Sequence, residues 1–189
     1  MKKRILALVA VLAVVGLLLP ATVFAALEDT VECTVTATLV AVTVEDGSVA
    51  YGTLALGTTK NTALYDDPDN LNGMATAQTQ TITNTGTVAE DFSIRTEDAL
   101  GTIHWMLHAT TPGTDQFTHA YNVADAAYTG SGTITFTKWA ASNVGENVAT
   151  DVAVDGVKYL ELEISMPTSV TDAGTHTITV TVLATQHGT

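Results

Sequence analysis

The sequence predicts an all-β protein, an antiparallel β-sandwich of about nine strands. Threonine, a good strand former, occurs 34 times in residues 26–189. Apolar and polar residues alternate strictly in short segments that are separated by Gly, Asp and Asn. No long segment after residue 25 has the 3.6-residue period of an amphipathic helix. Together these features favour sheets over helices throughout the chain.

A hydrophobic leader precedes the strands. Three basic residues at positions 2–4 are followed by an apolar run over residues 5–19 and by a small-residue pattern that ends at Ala25. This order is typical of a secretory signal peptide, and the run is shorter than the roughly 20 residues of a membrane span. We therefore predict a signal peptide over residues 1–25 and a single domain over residues 26–189. The mature protein would be secreted, extracellular or at the cell surface, with no membrane attachment after cleavage.

The charge of the chain excludes one class of partner. The formal net charge is −13, and all 20 acidic residues follow Ala25. Only four basic residues lie in that part, which gives it a formal charge of −16. Binding to nucleic acid or to anionic lipid requires clustered Lys and Arg, so neither is expected.

The first predicted strand is the longest. Along residues 27–39 one parity is apolar at six of its seven positions, and the other carries only Glu and Thr. The alternation shifts by one position after Leu39, which predicts a β-bulge or a strand that changes sheets. The apolar residues that we assign to the strand's buried face are Leu27, Val31, Cys33, Val35 and Leu39.

Shorter strands follow at regular intervals, separated by turn residues. Segment 140–154 has the weakest pattern and is expected to hold a loop or a short helix. The series is typical of immunoglobulin-like or jelly-roll sandwiches. The predicted strands are residues 48–56, 78–84, 88–95, 102–109, 117–123, 133–139, 159–166 and 175–183.

The sequence carries no recognisable catalytic motif: G-x-S-x-G, H-E-x-x-H and C-x-x-C are all absent. We therefore do not expect an enzyme. The five histidines are scattered, and we expect them at the surface or at a polar rim, with a metal role as the alternative. They are His104, His108, His119, His176 and His187.

One acidic loop has the composition of a calcium site. Residues 66–73 contain three carboxylates and two amide oxygens, which are the hard ligands that Ca²⁺ prefers. The alternative is an ordinary acidic turn, because Asp, Asn, Pro and Gly favour turns for backbone reasons. The candidate ligands are Asp66, Asp67, Asp69, Asn70 and Asn72.

The rows of threonine and the larger aromatic residues each have more than one interpretation. The rows of threonine on strand faces predict a soluble β-surface; O-linked surface glycans or a flat ice-binding face are the alternatives. The larger aromatic residues are expected in the core, or else exposed as stacking platforms for a carbohydrate. They are Trp105, Trp139, Tyr121 and Tyr128.

Cys33 is the only cysteine, so it fits a small core residue or an intermolecular disulfide.

The first strand can also serve a neighbouring subunit. An extended segment that adds to a sheet edge combines main-chain hydrogen bonds with pockets for alternate side chains. Burial of four apolar residues at about 1.5–3 kcal/mol each gives about 6–12 kcal/mol before ordering costs. Head-to-tail donation propagates into a filament unless it closes. The alternative is a strand that pairs within its own sheet.

The order of these segments resembles the TasA/camelysin group and the archaeal bundling pilins. The resemblance rests on a signal peptide that leads directly into a strand, an Asn84-Thr85-Gly86 turn before Phe92, and a closing strand that ends at Gln186. It implies a secreted β-sandwich whose filament-forming relatives polymerise by N-terminal donor strands. The peptidase label of part of that group does not transfer, because this sequence has no zinc-binding motif.

The resulting hypothesis is a secreted structural protein that self-assembles into a filament, a tube or a surface layer. Residues 26–39 would be the donor strand, and the principal partner would be another copy of the chain. The alternative is a secreted adhesin or carbohydrate-binding module.

Overall fold

A computed structural model describes residues 34–35 and 37–188 of the chain. The chain divides into two compact units, Met1–Thr36 and Ala37–Thr189, and the strands belong to the second. Within the described residues the fold is all-β, with ten strands and no helix. The strands are β1 (Val42–Val44), β2 (Thr59–Asn61), β3 (Gln80–Asn84), β4 (Glu90–Thr96), β5 (Met106–Leu107), β6 (Gln116–Ala124), β7 (Thr137–Lys138), β8 (Glu146–Val152), β9 (Val157–Ser165) and β10 (Val180–Gln186).

The strands form two sheets. The larger sheet has seven strands in the order β1-β3-β9-β6-β5, with β2 also paired to β9 and β7 to β6. The smaller sheet has three, in the order β10-β4-β8. All pairs are antiparallel except the short pair β5–β6. This arrangement is consistent with a β-sandwich.

Both sheets contribute to one hydrophobic core. β3 and β9 supply Ile82 and Leu160 from the larger sheet, and β4 supplies Phe92 and Ile94 from the smaller one. Because each fully buried side chain of this size stabilises by about 1.5–3 kcal/mol, the shared core holds the sheets together. A second cluster, around Phe117, adjoins the short parallel pair β5–β6.

The strands with the strongest alternation lie where the sequence predicts them. β3, β4, β6 and β9 overlap the predictions for residues 78–84, 88–95, 117–123 and 159–166. In β3 and β4 every second residue is buried, as a sheet with one face on the core requires.

Several other predictions are wrong in their bounds. Segment 140–154 contains the seven-residue β8 instead of a loop or short helix. Segments 102–109 and 133–139 contain only the two-residue strands β5 and β7. The last strand begins at Val180 rather than at residue 175, and β2 has no counterpart among the predicted strands.

Residues 48–56 form no strand, although they pack on the core as a strand would. Val49 and Tyr51 contact the core cluster. Between them, the Ala50 N–H donates to Gln78 Oε1 at 2.7 Å and Gln78 Nε2 donates to the Ala50 carbonyl at 3.2 Å. One side-chain amide therefore satisfies both backbone groups of Ala50, so no partner strand is needed there.

The shift in alternation after Leu39 lies just before the beginning of the sheet. Val42 and Val44 on β1 pack against the core, while Thr43 between them is exposed. Leu39 and Val40, just before β1, are exposed and belong to no strand. The chain thus enters the sheet at Val42, three residues after the position where the pattern shifts.

Candidate functional site

The predicted assembly strand is described only in part. Leu27, Val31 and Cys33 lie outside the described residues. Val35 is 96% exposed and Leu39 54% exposed, and neither lies in a strand. Two apolar side chains of the predicted buried face are therefore accessible to solvent.

The chain becomes fixed just before β1. The Leu39 N–H donates to the Thr87 hydroxyl at 2.9 Å, and the Thr87 N–H donates back to the Leu39 carbonyl at 2.8 Å. Two residues later, the Ala41 N–H donates to Glu90 Oε1 at 2.7 Å, and Glu90 is fully buried. These bonds tie residues 39–41 to the turn between β3 and β4, so that anything N-terminal to Leu39 starts from a fixed point.

The edges of the two sheets differ in how well they are protected. Residues 180–185 of β10 pair with β4 and with no other described strand; β1 approaches β10 without pairing with it. The pairing with β4 is regular from Val180 to Gln186, and β10 contains no charged residue and no proline. Charges, proline, bulges and short length are the usual devices that keep an edge strand from pairing further.

The other described edges carry such devices. β8 contains Glu146 and Asp151, and its pairing with β4 is interrupted by two register shifts. β1 has three residues, and β5 and β7 have two each. Within the described part of the chain, β10 is thus the long, regular and uncharged edge. Its core-facing side chains, Val180, Val182 and Ala184, are only partly buried.

The acidic loop folds as a small hydrogen-bonded turn. Asp66 and Asn70 exchange backbone hydrogen bonds of 3.2 and 2.7 Å. The side-chain amide of Asn70 is buried, and its oxygen accepts from Asn61 Nδ2 at 2.8 Å. Asp69 Oδ2 accepts from the Gly132 N–H at 2.9 Å. Two of the predicted ligands thus already make structural hydrogen bonds.

Of the remaining candidate ligands, Asp66 is half-buried, and Asp67 and Asn72 are exposed. Among the residues that the structure describes, no group of three His, Cys, Asp or Glu side chains is placed to hold a metal ion. Calcium binding by this loop stays a prediction that rests on the composition of residues 66–73.

A buried carboxylate lies on the outer face of the larger sheet. Glu161 on β9 is 2% exposed and accepts from the hydroxyls of Thr62 at 2.6 Å and Thr79 at 2.5 Å. Burial raises the pKa of this carboxyl, and the two hydroxyl hydrogen bonds oppose the shift. Alternation alone indicates a solvated Glu161, because it does not reveal that segment 61–80 covers this part of the sheet.

A cavity of about 410 Å³ lies beside Glu161. Its floor is formed by β6 and β9, and its wall by residues 126–135. Tyr128 and Tyr159 lie in its lining. Of these residues the sequence singled out Tyr128. The alternating patterns of β6 and β9 were the available signal for the four residues of the floor, and they gave none for the wall.

The histidines do not all lie at the surface. His104 is exposed, as expected, but His119 is only 2% exposed, in the core between β6 and β4. The expectation fails there because His119 occupies the core-facing parity of β6. The ring of His176 stacks on Trp105 with centroids 3.7 Å apart. Both tryptophans are core residues: Trp139 is 0% exposed and Trp105 6%.

No protein-family model, curated protein or solved structure matches the chain. Among the described residues, no helix has the length and apolarity to cross a membrane.

Proposed function

We propose that the chain is a secreted structural protein that self-assembles into a filament, a tube or a surface layer. In this proposal residues 1–25 are a signal peptide, and residues 26–39 add as a strand to the β10 edge of the next subunit. The domain would be an immunoglobulin-like or jelly-roll sandwich completed by that strand. We assign it no catalytic role.

The observation that carries the proposal is the β10 edge, which among the described strands pairs only with β4 and which contains no charge and no proline. An added strand would find backbone groups along residues 180–185 and the partly buried side chains of Val180, Val182 and Ala184. The alternating apolar face of residues 27–39 has the matching period.

The accessible side chains of the N-terminal segment support the same assembly. Val35, which is 96% exposed, would gain about 1.5–3 kcal/mol on burial against a neighbour. Residues 39–41 are bonded to their own domain, so the segment before them would extend from that domain as the donated strand. The same domain would accept a strand at its β10 edge. Such a heterologous contact repeats along a line, which produces a polymer.

The first test is negative-stain electron microscopy of residues 26–189, with millimolar Ca²⁺ and with a chelator. Ordered filaments, tubes or layers are expected. A requirement for Ca²⁺ would assign the ion to assembly and direct attention to Asp66, Asp67 and Asp69. Dispersed monomers in both conditions would contradict the proposal.

The donor role is tested by a chain that lacks residues 26–38. We expect this variant to keep its circular dichroism spectrum and cooperative unfolding but to form no polymer. A synthetic peptide of residues 26–39 should bind to it, and a peptide of the same composition in scrambled order should not. Unfolding of the shortened chain would instead indicate an internal strand.

Cys33 offers a sharper test of the acceptor edge. It shares the parity of Val35 and Leu39, so in a donated strand it would face the same side as Val182 of the neighbour. Disulfides require Cα atoms about 4.4–6.8 Å apart, a range that neighbouring strands satisfy. Single variants Val180→Cys, Val182→Cys and Ala184→Cys sample three registers, and Val148→Cys on β8 is the matched control.

Under mild oxidation we expect a ladder of linked subunits from one of the three β10 variants. The β8 variant should not produce that ladder. An intramolecular disulfide, seen as a faster-migrating monomer, would show that the strand pairs within its own chain. A ladder from Val148→Cys alone would move the acceptor edge to β8.

A further inference from the structure

The cavity on the larger sheet has a floor of two cross-strand pairs. Asn122 lies directly opposite Glu161, and Ala124 directly opposite Tyr159, on the same face of β6 and β9. Residues directly opposite in an antiparallel pair have Cβ atoms only about 4.5–5.5 Å apart. The small Ala124 therefore leaves room beside the ring of Tyr159.

The wall of the cavity is held in place at several points. Asn122 Nδ2 donates to the Thr135 carbonyl at 2.9 Å, which closes the two ends of the loop. The Tyr128 hydroxyl donates to the Gly132 carbonyl at 2.8 Å, and the Gly132 N–H donates to Asp69 Oδ2 at 2.9 Å. The cavity is thus built before any ligand arrives, which lowers the ordering cost of binding.

The lining combines aromatic rings with polar groups that are free to bind. Tyr128 and Tyr159 contribute rings, whose faces pack on the C–H faces of a pyranose. Among the described residues, the hydroxyls of Thr129, Ser131 and Thr133 have no hydrogen-bond partner. The volume of the cavity lies within the range of about 300–1,000 Å³ that is usual for small-molecule sites.

The charges around the cavity disfavour an anionic ligand. Burial raises the pKa of the Tyr128 hydroxyl, and the nearby carboxylates of Asp66 and Asp69 raise it further. Their negative potential disfavours phosphates and acidic sugars. The Glu161 carboxylate also lies in the lining, where it accepts from two threonine hydroxyls.

We propose that this cavity binds a neutral saccharide the size of a monosaccharide or disaccharide. Tyr159 would form the stacking surface, and the loop hydroxyls would bind the sugar hydroxyls. This site is separate from the β10 edge, so it stands or falls independently of polymer formation. It shares Tyr128 with the exposed-aromatic platform that the sequence offered as an alternative, but it does not use Trp105 or Trp139, which are buried.

The test is a two-dimensional ¹H–¹⁵N NMR titration of the chain that lacks residues 26–38 or, if that variant does not fold, of residues 26–189. The probes are glucose, galactose, N-acetylglucosamine, maltose, cellobiose and lactose, at concentrations up to the millimolar range. At least one is expected to give saturable shifts in the amides of residues 124–135. Glucuronate and sialic acid are the charged comparison ligands and should give none.

Three variants locate the binding. Tyr159→Ala should abolish the saturable shifts, Tyr159→Phe should retain them, and Tyr65→Ala removes an exposed tyrosine outside the lining as the matched control. Each spectrum also shows whether the variant is folded. The proposal is overturned by no saturable shift from any neutral sugar, by shifts that persist in Tyr159→Ala, or by equal binding of the acidic sugars.

Discussion

His119 Nδ1 lies 2.8 Å from the hydroxyl of Thr96 inside the core, and the bond joins the larger sheet to the smaller one. Both residues are fully or almost fully buried. The other ring nitrogen, Nε2, has no partner among the described residues, and the ring lies between Phe117 and Trp139. Such a site holds a neutral imidazole and penalises the charged one.

This burial predicts acid sensitivity. It lowers the pKa of His119 from its ordinary value of 6.5 to about 3. Between these values the unfolded chain binds a proton that the folded chain does not, so the free energy of unfolding falls as the pH falls. The limiting slope is about 1.4 kcal/mol per pH unit. Urea unfolding at several pH values between 4 and 7 measures it.

The double variant Thr96→Val/His119→Phe isolates this contribution. It removes both hydrogen-bonding partners, so no buried polar group is left unpaired. We expect a shallower dependence of stability on pH than in the natural chain. His104→Gln, at an exposed position, is the control and should keep the original slope. Equal slopes in all three proteins would show that His119 does not cause the effect.

Glu161 predicts the opposite pH dependence. Its folded pKa is raised, chiefly by burial, so its contribution to stability is fully present at acidic pH and is lost as the pH rises through the folded pKa. Glu161→Gln should therefore gain stability relative to the natural chain as the pH rises from 4 to 7. The difference in melting temperature at each pH measures this. Glu45→Gln, at an exposed position, should show no such trend.

Much of the fold is predictable from alternation, because a strand with one face on the core must place apolar residues at every second position. β9 meets this rule, with Leu160, Leu162 and Ile164 on one face. β3 and β4 bury every second residue as well, but their ends place the polar residues Gln80, Asn84, Glu90 and Thr96 on the buried face. β8 does not follow the rule: its pairing with β4 shifts register twice, so Val148 and Ala149 both approach the core and the pattern is lost. Such shifts depend on the partner strand, which a local pattern does not contain.

The buried polar residues are harder to predict for a related reason. Glu161 alternates with leucines as a solvated residue would, and the tertiary contacts with Thr62 and Thr79 bury it. His119 has a visible signal, since it shares the parity of Phe117 and Tyr121. A polar residue on an apolar parity is therefore a better guide here than an acidic one on a polar parity.

The shared core predicts that truncation of a side chain on β4 destabilises the protein much more than truncation of one on the neighbouring β10. Phe92 on β4 is fully buried, and Leu183 on β10 is 38% exposed. Phe92→Ala should lower the free energy of unfolding by about 3–5 kcal/mol, because it removes buried surface and leaves a cavity. Leu183→Ala should change it by about 0.5 kcal/mol or less, as surface substitutions usually do. Chemical denaturation of both variants gives the two values, and similar losses would contradict the assigned core.

The stacked pair of Trp105 and His176 predicts that Gly101 does not tolerate a side chain. A Cβ atom on Gly101 would lie 2.5 Å from two ring atoms of His176, closer than van der Waals contact allows. The ring cannot move freely, because its two nitrogens lie 2.9 Å from the Gly174 carbonyl and 2.7 Å from the Ile103 carbonyl. Gly101→Ala should therefore destabilise the protein by about 1–3 kcal/mol, as overpacking of a core does.

Gly145 provides the matched control for this substitution. A Cβ atom there meets nothing within 4 Å, and its backbone does not have the positive φ that favours glycine. Gly145→Ala should be neutral or slightly stabilising, because alanine restricts the unfolded chain. Thermal unfolding of both variants, with tryptophan fluorescence as the probe, tests the pair. Equal melting temperatures would mean that His176 can leave its stacked position at little cost.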